Sequence, residues 1–207
     1  MYDQTKKSSH VHNIRKFMSL KNDDIVRTMS LLEFDFCFHL EYNPDIKSFS
    51  SQPQEYYYYF NNRRCRYTPD FLLTDVLGKN RLVEVKYSKK TKTADFTSRF
   101  IERKKAIKND CGLDVILVTE KQIRINPILN NLKLLHRYSG LHTVTEIETF
   151  ILKYIQSKQK VQLREVSEAL GLTKHETLIS TLCWLSSGKV KTDLKSNDFG
   201  LSNYVWC

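Results

Sequence analysis

Two short apolar runs either side of Gly78 constrain this chain more than any other feature. Residues 66–74 and 81–87 both read as strands, and a glycine between them suits a tight turn. If the two pair antiparallel across that turn, Asp70 of the first meets Glu84 of the second. Residues two apart on a strand share a face, so Glu84 and Lys86 point together while Val83 and Val85 face the core. Adjacent carboxylates repel unless a proton or a cation lies between them. Oxygen donors with no His or Cys among them favour Mg²⁺, with Mn²⁺ as a substitute. Tyr67-Thr68-Pro69-Asp70 followed by Glu84-Val85-Lys86 is therefore the expected centre of chemistry. The alternative is that these are surface residues of an ordinary hairpin.

A third acid belongs to the same argument. Ser30 and Glu33 stand in the S-x-x-E spacing of a capping box, which predicts a helix over residues 31–42. At about 100° per residue, Phe36, Cys37 and Leu40 fall near Glu33 on that helix, whereas Asp35 and His39 fall on the far side. An acid in an apolar stripe needs a partner, because burying it alone would cost several kcal/mol. A metal held by Asp70 and Glu84 would supply one; a plain capping role for Glu33 is the other reading.

Punctuation along the chain divides it in three. Residues 1–25 are polar and basic and read as an arm; 26–140 read as a catalytic domain; 141–207 read as a smaller domain. Strands over residues 46–52 and 55–60 precede the central pair, with Pro53 and Asn61-Asn62 as breaks. A basic helix over 95–109, a buried strand over 114–119 and a helix over 128–138 follow. This order predicts an α/β fold, a mixed sheet flanked by helices. Helices over 146–157, 163–170 and 174–185, turned at Gly171 and followed by strands near Val190 and over 201–206, suggest a small winged-helix domain.

The formal charge of +10 calls for a polyanionic partner, and it is unevenly placed. Residues 1–142 hold 25 Lys and Arg against 16 Asp and Glu, leaving 8 against 7 beyond. The cations of the basic helix, Arg99, Arg103, Lys104, Lys105 and Lys108, together with Lys89, Lys90 and Lys92, suit a phosphate backbone beside the acidic centre; a solvated helix face is the alternative. The helix over 174–185 carries one Lys, one His and one Glu, which favours docking of a protein over reading of DNA. Five scattered cysteines without a CxxC, no apolar run of membrane length and no signal-like start agree with a cytoplasmic protein without a membrane partner. His10-x-His12 could bind metal but falls in the expected arm, and Tyr56 to Tyr59 reads first as strand-forming residues and second as a base-stacking surface.

Taken together, Ser30-Leu31-Leu32-Glu33, Ser51-Gln52-Pro53, Tyr67-Thr68-Pro69-Asp70-Phe71 and Glu84-Val85-Lys86 resemble the TnsA-type endonucleases of heteromeric cut-and-paste transposons, which carry a PD-(D/E)xK nuclease domain. The resemblance implies a restriction-endonuclease-like sheet followed by a winged helix, with Glu33, Asp70, Glu84 and Lys86 catalytic. It implies Mg²⁺ held at Glu33, Asp70, Glu84 and Val85, and Gln52 near the DNA. It further implies cleavage of the non-transferred 5′ strands of double-stranded DNA at transposon ends, beside a TnsB-like transposase and a TnsC-like ATPase, with no small-molecule substrate. Restriction, repair or junction cleavage on the same fold is the nearest alternative. A non-enzymatic winged-helix regulator is the more distant one.

Overall fold

The computed structural model describes residues 14–140 and 143–207, so the His10-x-His12 reading and the first half of the expected arm lie outside the described residues. Two compact units emerge, Met1–Arg124 and Ile125–Cys207. Among the described residues no helix is long and apolar enough to cross a membrane.

The first unit opens with a hairpin, β1 (Arg15–Ser19) and β2 (Asp24–Thr28), paired antiparallel. Part of the expected basic arm is thus ordered structure. Its alternation puts Phe17 and Val26 inside and Lys16, Met18 and Arg27 toward solvent, a period-2 signal that the high content of charged residues obscured. Helix α1 (Leu31–Glu41) follows; Ser30 accepts from the Glu33 N–H at 3.1 Å. Next come β3 (Ile46–Ser51), β4 (Tyr56–Phe60), β5 (Arg63–Tyr67), β6 (Phe71–Asp75) and β7 (Asn80–Val85). The single strand expected over residues 66–74 is in fact two strands, because Pro69 lacks an amide donor and interrupts the ladder at Thr68-Pro69-Asp70.

After β7 the chain makes α2 (Ser88–Thr91) and α3 (Ala94–Cys111), returns as β8 (Asp114–Val118) and closes with α4 (Glu120–Ile123). The central sheet runs β3-β6-β7-β8, with β3, β6 and β7 antiparallel and β8 parallel to β7. A parallel return needs a crossover, which α2 and α3 supply. On one face, Phe71 packs edge-on against Phe36 of α1 at 5.6 Å between centroids. On the other, Leu82 and Val115 pack with Ile107 of α3 and with Tyr56, Tyr58 and Tyr67 of the β4-β5 ribbon. Both faces are therefore covered, and Glu84 is 4% exposed instead of lying on an open surface. Helix α1 is likewise enclosed nearly all round. Asp35, placed on its far side by the helical wheel, is buried, and Arg124 Nε reaches its Oδ2 at 2.9 Å.

The second unit contains α5 (Ile128–Arg137), α6 (Glu146–Gln156), β9 (Val161–Gln162), α7 (Leu163–Leu170), α8 (Lys174–Ser186), β10 (Lys191–Thr192) and β11 (Tyr204–Trp206). Its antiparallel sheet runs β10-β11-β9. Gly171, at φ +63°, ends α7 in the left-handed conformation and sets the turn to α8. Helix α5, read from sequence as the end of the catalytic domain, belongs here. The Asn131 amide donates to the carbonyls of Leu194 at 2.9 Å and Asn197 at 2.8 Å, and its Oδ1 accepts from the Phe199 N–H.

Candidate active site

Asp70 stands where the β5 ladder has ended and β6 has not begun. Its N–H donates to the Val83 carbonyl at 2.9 Å, and its own carbonyl accepts from the Gln52 N–H at 2.9 Å. These main-chain bonds fix the residue from both neighbouring strands. The Asp70 carboxylate then accepts from the Val85 N–H through Oδ2 at 2.7 Å, which ties it to the middle of the Glu84-Val85-Lys86 triplet. Gln52 holds its place with φ at +47°, a conformation that costs a non-glycine residue about 1 kcal/mol or more. Its main chain, not its side chain, makes the contact with Asp70 seen here.

Glu84 and Lys86 share a face, as the strand alternation predicts, and Lys86 Nζ lies 3.3 Å from Glu84 Oε1. The other oxygen, Oε2, accepts from the Tyr67 hydroxyl at 2.8 Å. Arg103 of α3 approaches the same carboxylate, with Nη1 3.9 Å from Oε1. The Arg103 guanidinium lies over the rings of Tyr67 at 4.5 Å and Tyr58 at 5.4 Å, and its buried Nε has no hydrogen-bond partner among the described residues. Reading the sequence missed Tyr67 as a partner of Glu84 and placed Arg103 along a phosphate backbone. A buried strand acid needing a donor, with a tyrosine at the end of the neighbouring ribbon, was the available signal.

Glu33 combines both roles weighed for it. Its oxygens accept from the Ser30 hydroxyl at 2.7 Å and the Met29 N–H at 2.8 Å, so it braces the start of α1 one residue earlier than a standard capping box would. Burial raises its proton affinity, those two hydrogen bonds and Lys86 oppose the rise, and Glu84 adds to it. Asp70 is pushed well above the usual carboxylate range by burial first, then by repulsion from Glu84 and Glu33. The three acids thus sense one another electrically. Among the described residues, however, no three His, Cys, Asp or Glu side chains converge closely enough to enclose an ion. Asp70 and Glu84 form the nucleus of the site, and Glu33 stands behind them with both oxygens engaged.

The expected phosphate-facing cations fall into two groups. Lys89, Lys90 and Lys92, on and just after α2, are exposed. On α3, Arg99 is held by Asp95 at 2.9 Å and lies over Phe60, Lys105 pairs with Glu102 and Lys108 pairs with Asp114. Lys104 is exposed beside the Phe100 ring.

A mixed sheet with an Asp just before one strand and a Glu-x-Lys at the end of its antiparallel neighbour, crossed by helices, fits an α/β domain of nuclease-like fold. Residues 43–121 match the family model described as TnsA-like endonuclease N terminal. That stretch is therefore similar to the TnsA-like endonuclease N-terminal domain, the family that the sequence motifs resemble. Asp70, Glu84 and Lys86 lie inside the matched stretch, while Glu33 on α1 precedes it. No curated protein matches the chain.

Proposed function

We propose that the protein is a metal-dependent DNA endonuclease that cuts the non-transferred 5′ strands at transposon ends. The observation that carries this reading is the Asp70 carboxylate bonded to the Val85 N–H, beside Glu84 with Lys86 Nζ 3.3 Å away. Carboxylate oxygens with no His or Cys among them suit a hard divalent ion, Mg²⁺ or Mn²⁺, which Asp70 and Glu84 would hold, with the Val85 carbonyl beside them and Glu33 joining once its bonds to Ser30 and Met29 are released. The chemistry that such an ion would supply there is a lowered pKa for bound water and polarisation of a phosphodiester. Lys86, half exposed beside Glu84, orients the nucleophile or neutralises charge developing on the phosphate. Tyr67 holds Glu84 through Oε2, the oxygen away from Lys86, while Arg103 approaches Oε1 alongside Lys86.

Double-stranded DNA is the substrate this reading requires, with Lys89, Lys90, Lys92 and Lys104 as phosphate contacts and Gln52 at the rim of the site. The order helix, strand, helix, helix, strand, strand from α6 to β11 supports a winged helix in the second unit. We assign that unit to docking a TnsB-like transposase or a TnsC-like ATPase in the cytoplasm. The test is cleavage of DNA bearing transposon ends, with and without the co-encoded transposase. Nicks on the non-transferred strands that vanish in Asp70→Ala support the assignment; cleavage unaffected by Asp70→Ala overturns it.

A further inference from the structure

The β4-β5 ribbon has two faces of different chemistry. Tyr56↔Tyr67, Tyr57↔Arg66, Tyr58↔Cys65 and Tyr59↔Arg64 are cross-strand partners. Tyr56, Tyr58 and Tyr67 are buried against the sheet and α3, so the ribbon's share in the core is met by that face. The other face presents Tyr57, Tyr59, Arg64 and Arg66. Tyr59 is 70% exposed and Tyr57 44%, and the Arg64 guanidinium lies 3.9 Å from the Tyr57 ring centroid. Arg66 is engaged by Glu55 at 2.8 Å. No carboxylate pairs with Arg64 among the described residues. Asn61 and Asn62, both at positive φ, make the tight turn at the tip, as two-residue ribbon turns require.

Two exposed tyrosines add little to the stability of the fold, and their contiguity with arginines makes a patch and not a scatter. Three arginines against one acid over residues 55–67 select a polyanion. A guanidinium backed by a ring presents its edge donors to phosphate, and tyrosine rings pack against sugars. A two-stranded ribbon also has the dimensions of the major groove of DNA. The ribbon ends at Tyr67, whose inward hydroxyl is bonded to Glu84, so the strand that carries Arg64 and Arg66 on its outer face is anchored to the acidic site at its end. By contrast, most cations of α3 are already paired or stacked within the protein.

We propose that the outer face of the β4-β5 ribbon, through Tyr57, Tyr59 and Arg64, is a contact surface for duplex DNA flanking the cut. The proposal rests on the reading of the protein as a DNA endonuclease, and its test is separable from that reading because it measures binding without cleavage. Full-length wild type, Arg64→Gln, Arg64→Lys and the double variant Tyr57→Ala/Tyr59→Ala are titrated in metal-free buffer against a labelled duplex and a labelled single strand. Fluorescence anisotropy is read over a salt series, and thermal melting checks folding. Arg64→Gln should lower the slope of log affinity against log salt by about one, and Arg64→Lys should keep it. The tyrosine pair should weaken duplex binding about fivefold or more with the slope unchanged. Folded variants that bind duplex as wild type does, while wild type still cleaves DNA, overturn the ribbon assignment alone. Loss confined to the single strand overturns the duplex assignment. Wild type that binds no DNA overturns both readings.

Discussion

Tyr67 donates its phenolic hydrogen to Glu84 Oε2 at 2.8 Å, and this bond joins the β4-β5 ribbon to the strand that carries the Glu-x-Lys triplet. Burial raises the proton affinity of the hydroxyl, and the charges of Glu84 and Asp70 raise it further, so the group acts as a donor throughout the working pH range. Glu84 is thereby left with one oxygen, Oε1, facing Lys86 and Arg103. The geometry aims one lone-pair edge of the carboxylate at the site and anchors the other.

Tyr67→Phe should cost about 1–3 kcal/mol of stability, because it leaves a nearly buried carboxylate oxygen without its donor while preserving the ring that Arg103 covers. Cleavage should fall as well, since Glu84 loses its fixed rotamer. Urea denaturation and single-turnover cleavage check the two effects; a variant as stable and as active as wild type would remove Tyr67 from the site.

Lys86→Ala should behave differently. Its side chain is 39% exposed and its one ion pair contributes little to folding, so stability and DNA binding should hold while cleavage drops about a hundredfold or more. Melting, anisotropy and cleavage measured on the same preparation separate the three. Normal cleavage by this variant would rule out the assigned role.

How far the sequence already carried these conclusions depends on the range of the interaction involved. The β6-β7 pairing across Gly78 and the shared face of Glu84 and Lys86 follow from a period of two and a turn residue, both local, and they were legible. So were α1, whose start Ser30 caps, α3 as a basic helix, and α7, which Gly171 ends. Long-range partners were not. Nothing near Asp35 in sequence announces Arg124, and nothing near Glu84 announces that α3 would deliver Arg103 to it. The β1-β2 hairpin went unread because each strand has only five residues and buries only two of them. The break of residues 66–74 into two strands was signalled by Pro69 and outweighed by the apolar run that follows it.

Metal binding should reverse the pH dependence of stability. Asp70 and Glu33 bind protons more tightly in the folded protein than in the unfolded chain, through burial first, with the charge of Glu84 adding to the rise at both. Their contribution is fully present below the ordinary carboxylate range and is lost as the pH rises through their raised values. The metal-free protein should therefore lose stability on going from mildly acidic to neutral buffer, with other groups held aside by comparison to Asp70→Asn, which should flatten the trend. Mn²⁺ should restore stability most at the neutral end, because it takes the place of the proton. Calorimetry should show Mn²⁺ binding that Asp70→Ala abolishes. Equal binding by that variant, or metal-free protein that gains stability over the same window without Asp70 mattering, would contradict the site.

The two units should divide the work at Arg124, not at residue 140. Helix α5 buries Leu129, Leu132 and Leu135 and clamps residues 194–199 through Asn131, all within the second unit. A fragment of residues 1–138 would carry that apolar face without its cover and should self-associate, whereas 1–124 should not. Moving the boundary also changes the charges: residues 1–124 hold 23 Lys and Arg against 16 Asp and Glu, and 125–207 hold 10 against 7. The contrast narrows, but the larger excess stays with the site. Fragment 1–124 should bind nonspecific duplex with steep salt dependence, since each phosphate contact adds to the slope. Fragment 125–207 should bind it more weakly and retain the transposase or the ATPase in a pull-down. Gel filtration and anisotropy on the three fragments decide the matter. Tight, salt-sensitive DNA binding by 125–207 with no partner retained would assign the second unit to DNA instead.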